Sequence, residues 1–181
     1  MSDPRPLLTV SDSSALLISE TDAKSVGNLL MAWREVGLTV RSVRGRKMRR
    51  VGDLFDEMSA ALQFPYYFGE NWPAFNECLA DMDWLPMNLG IVIVVYDALD
   101  VLDDAVDTEL AVLVHSIENA RSSYAQPIEL GEWWDRPAVP FHVVLHSVNP
   151  KDARVLCARW QKAGAILEVA DLPQETQGSV T

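Results

Sequence analysis

Aromatic rings and carboxylates are concentrated in one short segment of the chain, residues 62–84 (LQFPYYFGENWPAFNECLADMDW). The segment carries no lysine or arginine, and its acids are Glu70, Glu77, Asp81 and Asp83. Tyrosine is favoured at protein interfaces because its ring is large, rigid and amphipathic. A carboxylate held between rings is partly shielded from water, which strengthens its pairing with an arginine. The pattern therefore indicates a surface that recognises a positively charged partner.

The charge of the whole chain agrees with a basic partner. The formal net charge is −11, and it is divided unevenly into +4 over residues 1–50 and −15 over residues 51–181. Between Arg50 and Arg121 there are fourteen acids and no lysine or arginine. Such a surface repels nucleic acid, whose phosphates must be neutralised by basic side chains, and attracts a basic protein. A general role in solubility is the alternative explanation of the charge.

Sequence signatures of enzymes and metal sites are missing. The glycines lack the spacing of a phosphate-binding loop, and Cys78 and Cys157 are isolated, so the chain has no zinc motif. His142 and His146 lie in a strand pattern, which places side chains four residues apart at roughly 13 Å, too far for one metal. We therefore expect a protein that is not an enzyme and uses no cofactor or metal.

The elements that position these residues alternate between strands and helices. Strands are predicted over residues 15–19, 38–43, 89–96, 141–148 and 166–170, and helices over residues 21–36, 51–62, 72–82, 103–120 and 150–163. We expect Thr21 or Asp22 to cap the first helix and Gly37 to end it. Asp103 and Asp104 are interpreted as the start of the fourth helix, whose dipole they complement. This order predicts an α/β fold with a small, mostly parallel sheet flanked by helices.

The helix predicted over residues 72–82 separates a buried face from an exposed one. Helical spacing assigns the core face to Trp72, Phe75, Cys78, Leu79 and Met82. The same spacing directs the other face outward with Asn76, Glu77, Ala80 and Asp81. In the loop before this helix, we expect Phe68 and one of Tyr66 and Tyr67 to pack onto the core.

The run FPYYFGENWPAFNECL resembles the loop and helix with which the barstar family of ribonuclease inhibitors binds its target. Within this run the motif P-x-Y-x-G-E-N at Pro65–Asn71 matches the family, and two further motifs fall in the same register, VRG at Val43–Gly45 and DLF at Asp53–Phe55. The resemblance is closest over residues 40–84 and continues more loosely to residue 146. The loop GEWWDRPAVP is an insertion relative to the family.

The resemblance implies a three-layer α/β fold and a protein without catalytic activity. Family members bind a secreted ribonuclease in the cytoplasm and block its active-site cleft with acids that stand in for RNA phosphates. Tyr67 matches an interface tyrosine of the family, and Glu77 occupies the place of the central aspartate. Pro73 and Asn76 replace a second aspartate and a contacting tryptophan. These departures imply a target other than barnase.

The predicted partner-binding surface follows from the residues and the resemblance together. Its members are Tyr66, Tyr67, Asn71, Pro73, Asn76, Glu77, Asp81 and Glu118, of which the last, or its neighbour Asn119, falls near a family acid that pairs with the enzyme. The expected partner is a small basic ribonuclease or a related toxin, and neither nucleic acid nor a membrane is expected. We expect a bacterial immunity-type protein that is monomeric when free.

The sequence favours a location in the cytoplasm. No apolar run approaches the roughly 20 residues that span a bilayer, and the N-terminus lacks the pattern of a secretory signal.

Four segments are expected along the chain. Residues 1–38 are predicted to form an N-terminal strand–helix extension packed on the core, residues 39–148 the barstar-like domain, residues 149–172 a C-terminal helix–strand extension, and residues 173–181 a tail.

Two other functions remain open at the level of sequence. One is that the barstar-like fold serves as a protein-interaction or regulatory module that does not inhibit a nuclease. The replacement of two family contact residues by Pro73 and Asn76 favours this function. The other is an enzyme in which Trp133, Trp134 and His142 line a pocket. The basic stretch Arg44–Arg50 is interpreted as a solvated turn whose arginines pair with the protein's own acids, with a nucleic-acid patch as the alternative.

Overall fold

The computed structural model describes residues 16–19, 23–86, 89–148 and 150–169. Thr21, Asp22 and residues 173–181 lie outside these ranges, and with them the predicted first cap and the predicted tail. The elements are β1 (Leu16–Ser19), α1 (Ala23–Glu35), β2 (Thr39–Arg44), α2 (Val51–Leu62), α3 (Trp72–Asp81), β3 (Ile91–Tyr96), α4 (Asp107–Tyr124), β4 (Phe141–His146), α5 (Pro150–Lys162) and β5 (Leu167–Val169). No helix of the described residues is long and apolar enough to cross a membrane.

The five strands form one parallel sheet in the order β2-β3-β4-β1-β5. The N-terminal strand lies inside this sheet, because Leu16 of β1 pairs with Val143 of β4 on one side and with Leu167 of β5 on the other. Each connection between parallel strands crosses over through a helix, as parallel pairing requires. The predicted α/β class with a small parallel sheet is confirmed.

Helices cover the two faces of the sheet unequally. One face is covered by α1, whose Trp33 is 1% exposed and packs with apolar residues of β2, β3 and β4. The other face carries α2, α3, α4 and α5, which bury the larger of the two apolar clusters. Because both faces are covered, β3 is apolar throughout and buried up to Val95. The molecule therefore has the predicted three layers.

The fourth helix begins later than its acids suggested. It starts at Asp107 and ends at Tyr124, whereas the sequence predicted a start at Asp103. Asp103 and Asp104 lie in the preceding turn and form ion pairs with Arg49 at 3.0 and 2.9 Å. The hydrogen bond from Arg49 holds the pKa of Asp104 below its usual range. The prediction was wrong because these acids pair with a distant cation and not with a helix dipole.

The basic stretch before α2 is engaged within the protein, as predicted. Arg44 forms an ion pair with Glu57 of α2 at 2.8 Å, and Arg46 lies 3.6 Å from the carboxylate of Asp97. The turn that carries these side chains needs a glycine, because a Cβ at Gly45 would overlap the carbonyl oxygen of Asp97. These intramolecular ion pairs reduce the positive charge that the arginines could offer to the phosphates of a nucleic acid.

Candidate protein-interaction surface on the third helix

The start of α3 is set by a side-chain cap. The Oδ1 of Asn71 accepts a hydrogen bond from the backbone N–H of Ala74 at 3.0 Å, and its Nδ2 donates to the carbonyl oxygen of Gly69 at 2.8 Å. Pro73 occupies the first turn, where its missing N–H leaves no helical hydrogen bond unmade. Glu70 has a φ of +46°, a left-handed conformation that costs on the order of 1 kcal/mol in a non-glycine residue. The chain thus reverses sharply between the loop and the helix.

An aromatic cluster fixes the inner face of α3. The ring of Trp72 meets the rings of Phe55 and Phe75 edge-on, with centroid distances of 5.1 and 5.6 Å. Its indole Nε1–H donates to the carboxylate of Glu109 on α4 at 2.7 Å. Phe68 packs edge-on against Phe55 at 5.8 Å. These contacts hold α3 against α2 and α4, so its outer face is presented in one orientation.

The C-terminal end of α3 is tied to α4 by a buried phenol. The hydroxyl of Tyr124 donates to the carbonyl oxygen of Asp81 at 2.8 Å and lies 3.3 Å from that of Leu79. Burial raises the pKa of Tyr124, so the hydroxyl stays protonated and remains a donor. Both ends of α3 are therefore held by specific hydrogen bonds.

The loop before α3 exposes two neighbouring tyrosines. Tyr66 is fully exposed and Tyr67 is 71% exposed, and their rings contact each other edge-on at 5.7 Å. The expectation that one of them packs onto the core is wrong. Phe64 and Phe68 fill that space instead, packed edge-on at 5.1 Å, and the expectation for Phe68 is confirmed. Both phenols thus face solvent beside the acidic helix.

Four acids, two on the outer face of α3 and one just beyond each of its ends, have no ion-pair partner among the residues that the structure describes. Their carboxylates are exposed at Glu70, Glu77, Asp81 and Asp83, and the ion pairs of the described residues involve none of them. Burial, followed by repulsion from Asp83 and Glu77, raises the pKa of Asp81. The pKa of Asp81 is thus raised mainly because its charged form is partly desolvated, and the neighbouring carboxylates add to the shift, which a bound cation would oppose.

Besides Asn71, two of the predicted surface residues already have side-chain partners within the protein. The half-buried Asn76 accepts a hydrogen bond from Asn119 of α4 at 3.3 Å. Glu118 forms an ion pair with Arg121 at 2.8 Å, one turn along the same helix. The charge of Glu118 is therefore partly compensated, whereas that of Glu77 is not.

The comparison with protein families matches residues 38–146 to the model described as Barstar (barnase inhibitor). The match covers more than half of the chain. The chain belongs to the barstar family. A search of curated proteins finds no match. The barstar segment contributes β2, β3 and β4, whereas β1 and β5 are supplied by flanking residues outside it and extend the same sheet.

Seven of the eight residues predicted for the surface of this barstar relative lie on α3 or on the loop of residues 63–71 before it, here called the tyrosine loop, namely Tyr66, Tyr67, Asn71, Pro73, Asn76, Glu77 and Asp81. The eighth, Glu118, lies on α4 beside Asn119, which contacts α3. Glu70 and Asp83, which belong to the same segment of residues 62–84, are also exposed and were not predicted as part of the surface. A role of any of these residues in binding stays a prediction.

The pocket expected from Trp133, Trp134 and His142 does not form as predicted. The two tryptophans line a cavity together with Asp81. His142 is not among the residues that line it, because His142 is 2% exposed and belongs to the buried strand β4. Within the described ranges, no group of three or more histidine, cysteine, aspartate or glutamate side chains is arranged to hold a metal ion.

Proposed function

We propose that this protein inhibits a small secreted ribonuclease by inserting the tyrosine loop and α3 into the basic active-site cleft of the enzyme. The observation that carries the proposal is the Glu77 carboxylate, which is exposed on α3 and has no ion-pair partner among the described residues, while the loop before this helix exposes Tyr66 and Tyr67. A ribonuclease cleft is basic because its substrate is a polyanion. A carboxylate that enters the cleft takes the place of a phosphate. The description of the family as a barnase inhibitor supports this role.

Rigidity of the surface strengthens the proposed inhibition. The Asn71 cap, the Trp72–Glu109 hydrogen bond and the Tyr124 anchor hold α3 before any partner binds. Binding then requires little ordering of the inhibitor, and the free energy otherwise spent on ordering appears as affinity. The acidic field around the helix also accelerates encounter with a basic enzyme.

The proposed partner is a small basic ribonuclease or a related toxin, bound in the bacterial cytoplasm by a monomeric immunity-type protein without catalytic activity. Two features of the surface support a target different from barnase. Pro73 carries no charge, and the Asn76 side chain is held by Asn119. Recognition then depends on the central carboxylate and its flanking rings.

The same two features favour a second candidate, a barstar-like module that binds a protein without inhibiting a nuclease. Because Pro73 replaces an aspartate of the family, the surface carries less negative charge and is less complementary to a basic cleft. This candidate shares the exposed tyrosines and Glu77 with the first, so only the activity of the bound partner separates them.

The test is inhibition of RNA cleavage across a panel of small secreted microbial ribonucleases. Wild type is compared with Glu77→Ala and with Glu35→Ala, a control that removes the same charge from an exposed position on α1, across the sheet. We expect inhibition of at least one enzyme that weakens sharply with Glu77→Ala alone. If Glu35→Ala weakened inhibition as much as Glu77→Ala does, the effect would be due to net charge and not to the position of Glu77. Tight binding of a panel enzyme that remains active would favour the non-inhibitory module.

A further inference from the structure

A cavity of about 590 Å³ lies where the loop of residues 126–140 meets the end of α3. Asp81 and Asp83 line it from α3 and the turn that follows, and Trp133 and Trp134 line it from the loop. The two indole rings contact each other edge-on at 5.3 Å. Acids and aromatic faces are thus brought together from segments far apart in sequence.

The loop that carries the two tryptophans is held by its own hydrogen bonds. The carboxylate of Asp135 accepts hydrogen bonds from the backbone N–H groups of Leu130 and Gly131 at 3.0 and 2.8 Å. Ile128 and Arg136 exchange two backbone hydrogen bonds, at 2.8 and 3.1 Å. The loop therefore has a defined backbone conformation, which fixes where the two indoles are presented.

Trp133 and Trp134 are exposed despite their size, at 83% and 45%. Leu130 on the same loop is 73% exposed. Large apolar side chains are normally buried, and a contiguous exposed group of them indicates an interaction site. Because Trp133 and Trp134 line the cavity together with Asp81, they are continuous with the C-terminal end of α3.

Arg136, the one cation among the described residues that line the cavity, is committed to supporting the loop. The guanidinium of Arg136 donates to the carbonyl oxygens of Ser123 and Gln126 at 3.1 Å each, and it lies 4.9 Å from the ring centroid of Tyr124. It attracts Asp81 only at longer range, and the pKa of Asp81 stays raised, first by burial and then by the nearby Asp83 carboxylate. The cavity therefore keeps an excess of negative charge.

We propose that this cavity receives an arginine side chain of the ribonuclease partner. A planar guanidinium stacks on indole faces while it donates hydrogen bonds to carboxylates, which matches the two kinds of wall. The C-terminal end of α3 adds the negative pole of the helix dipole. The identity of the partner rests on the proposed function, whereas the preference for a guanidinium rests on the cavity itself. This contact enlarges the interface beyond the loop and helix that resemble the family.

The first experiment tests the cavity without any ribonuclease. Indole N–H signals of the six tryptophans are followed by NMR in the full-length protein during titration with Nα-acetyl-arginine amide. Nα-acetyl-citrulline amide, which has nearly the same shape but no charge, is the matched control probe. We expect the arginine probe to shift the signals of Trp133 and Trp134 with a dissociation constant on the order of millimolar.

Variants connect this binding to the acids. Asp81→Asn combined with Asp83→Asn should weaken the arginine probe about tenfold. The control removes two exposed acids of α2, through Asp53→Asn and Asp56→Asn, and should leave the affinity unchanged. The proposal is overturned if neither indole responds, if the citrulline probe shifts both equally, or if the cavity variant binds as wild type does.

A second measurement separates this inference from the proposed function. In the inhibition assay, Trp133→Ala should raise the inhibition constant about tenfold for an enzyme that is also sensitive to Glu77→Ala. Sensitivity to Glu77→Ala without sensitivity to Trp133→Ala would remove the cavity from the interface and leave the inhibitor proposal intact. Binding of the arginine probe by a protein that inhibits no ribonuclease would retain the guanidinium site and overturn its assignment to a ribonuclease.

Discussion

Replacing Glu77 with glutamine removes one charge and keeps the length of the side chain. The carboxylate is exposed and has no ion-pair partner among the described residues, so the folded, unbound protein should lose almost nothing. An exposed substitution of this kind changes the free energy of unfolding by less than about 0.5 kcal/mol. The thermal midpoint of Glu77→Gln should therefore equal that of wild type.

In the complex the same change is expected to be costly. Loss of one member of a buried, hydrogen-bonded charge pair costs about 2–5 kcal/mol, which corresponds to a 30- to 4,000-fold loss of affinity. This is a general range for such pairs, and a complex of this family is among the examples behind it. Glu118→Gln is the matched comparison, because Glu118 already pairs with Arg121. A pair near the surface is worth about 0.2–1 kcal/mol, so Glu118→Gln should weaken binding at most about fivefold.

The assay is stopped-flow association and dissociation with an inhibited ribonuclease, together with thermal melts of each free variant. Glu77→Gln should act mainly through faster dissociation, while both variants should lower the association rate slightly and reduce its dependence on salt. The reasoning is refuted if Glu118→Gln weakens binding as much as Glu77→Gln, or if Glu77→Gln destabilises the free protein.

Three further predictions concern the framework of the surface. Asn71→Ala should lower the free energy of unfolding by about 1 kcal/mol in urea titrations because the helix cap is lost, whereas Asn71→Ser should restore most of it; equal stability of the two variants would contradict the capping role. Asp81 has a raised pKa, so the folded state binds its proton more tightly than the unfolded state, and stability falls as pH rises above the unfolded value of about 3.9. Asp81→Asn should therefore raise the thermal midpoint at neutral pH and not below pH ~3.9, and a difference independent of pH would argue against this cause. Arg49→Ala should lower the thermal midpoint at low salt, with a deficit that shrinks as salt screens its exposed ion pairs; a deficit that does not respond to salt would indicate lost packing instead.

The helices that carry the surface could be predicted from local spacing. The apolar pattern predicted α2 over residues 51–62, and the structure has Val51–Leu62. The pattern for α3 ended at Met82, one residue beyond the observed end at Asp81. Both succeed because the apolar period acts within one or two helical turns, and Pro73 is tolerated in the first turn of α3.

Pairings between distant residues could not be predicted in this way. The position of β1 between β4 and β5 depends on contacts more than a hundred residues apart in sequence. The pairing of Arg49 with Asp103 and Asp104 is likewise nonlocal, and it displaced the start of α4. Local patterns record which side of an element is buried, but not which other element covers it.

Because local patterns do not show which elements pack together, only part of the candidate site could be predicted. The exposure of the acids within residues 62–84 could be predicted from helical spacing and residue type, whereas most rings of the segment pack inward. The arrival of Trp133 and Trp134 beside Asp81 is a tertiary contact, and nothing within the loop sequence specifies its neighbour. The expectation for one tyrosine failed for a related reason, since Phe64 and Phe68 competed for the same space.

The most direct test of the central claim is the mode of inhibition of a sensitive ribonuclease. If carboxylates of α3 replace RNA phosphates in the cleft, inhibition must be competitive, so that the protein raises the KM for RNA and leaves kcat unchanged. An uncleavable deoxyoligonucleotide should then slow association of the protein with the enzyme in proportion to its occupancy of the cleft. Inhibition that lowers kcat at saturating RNA, or equal association with free and oligonucleotide-bound enzyme, would contradict the account.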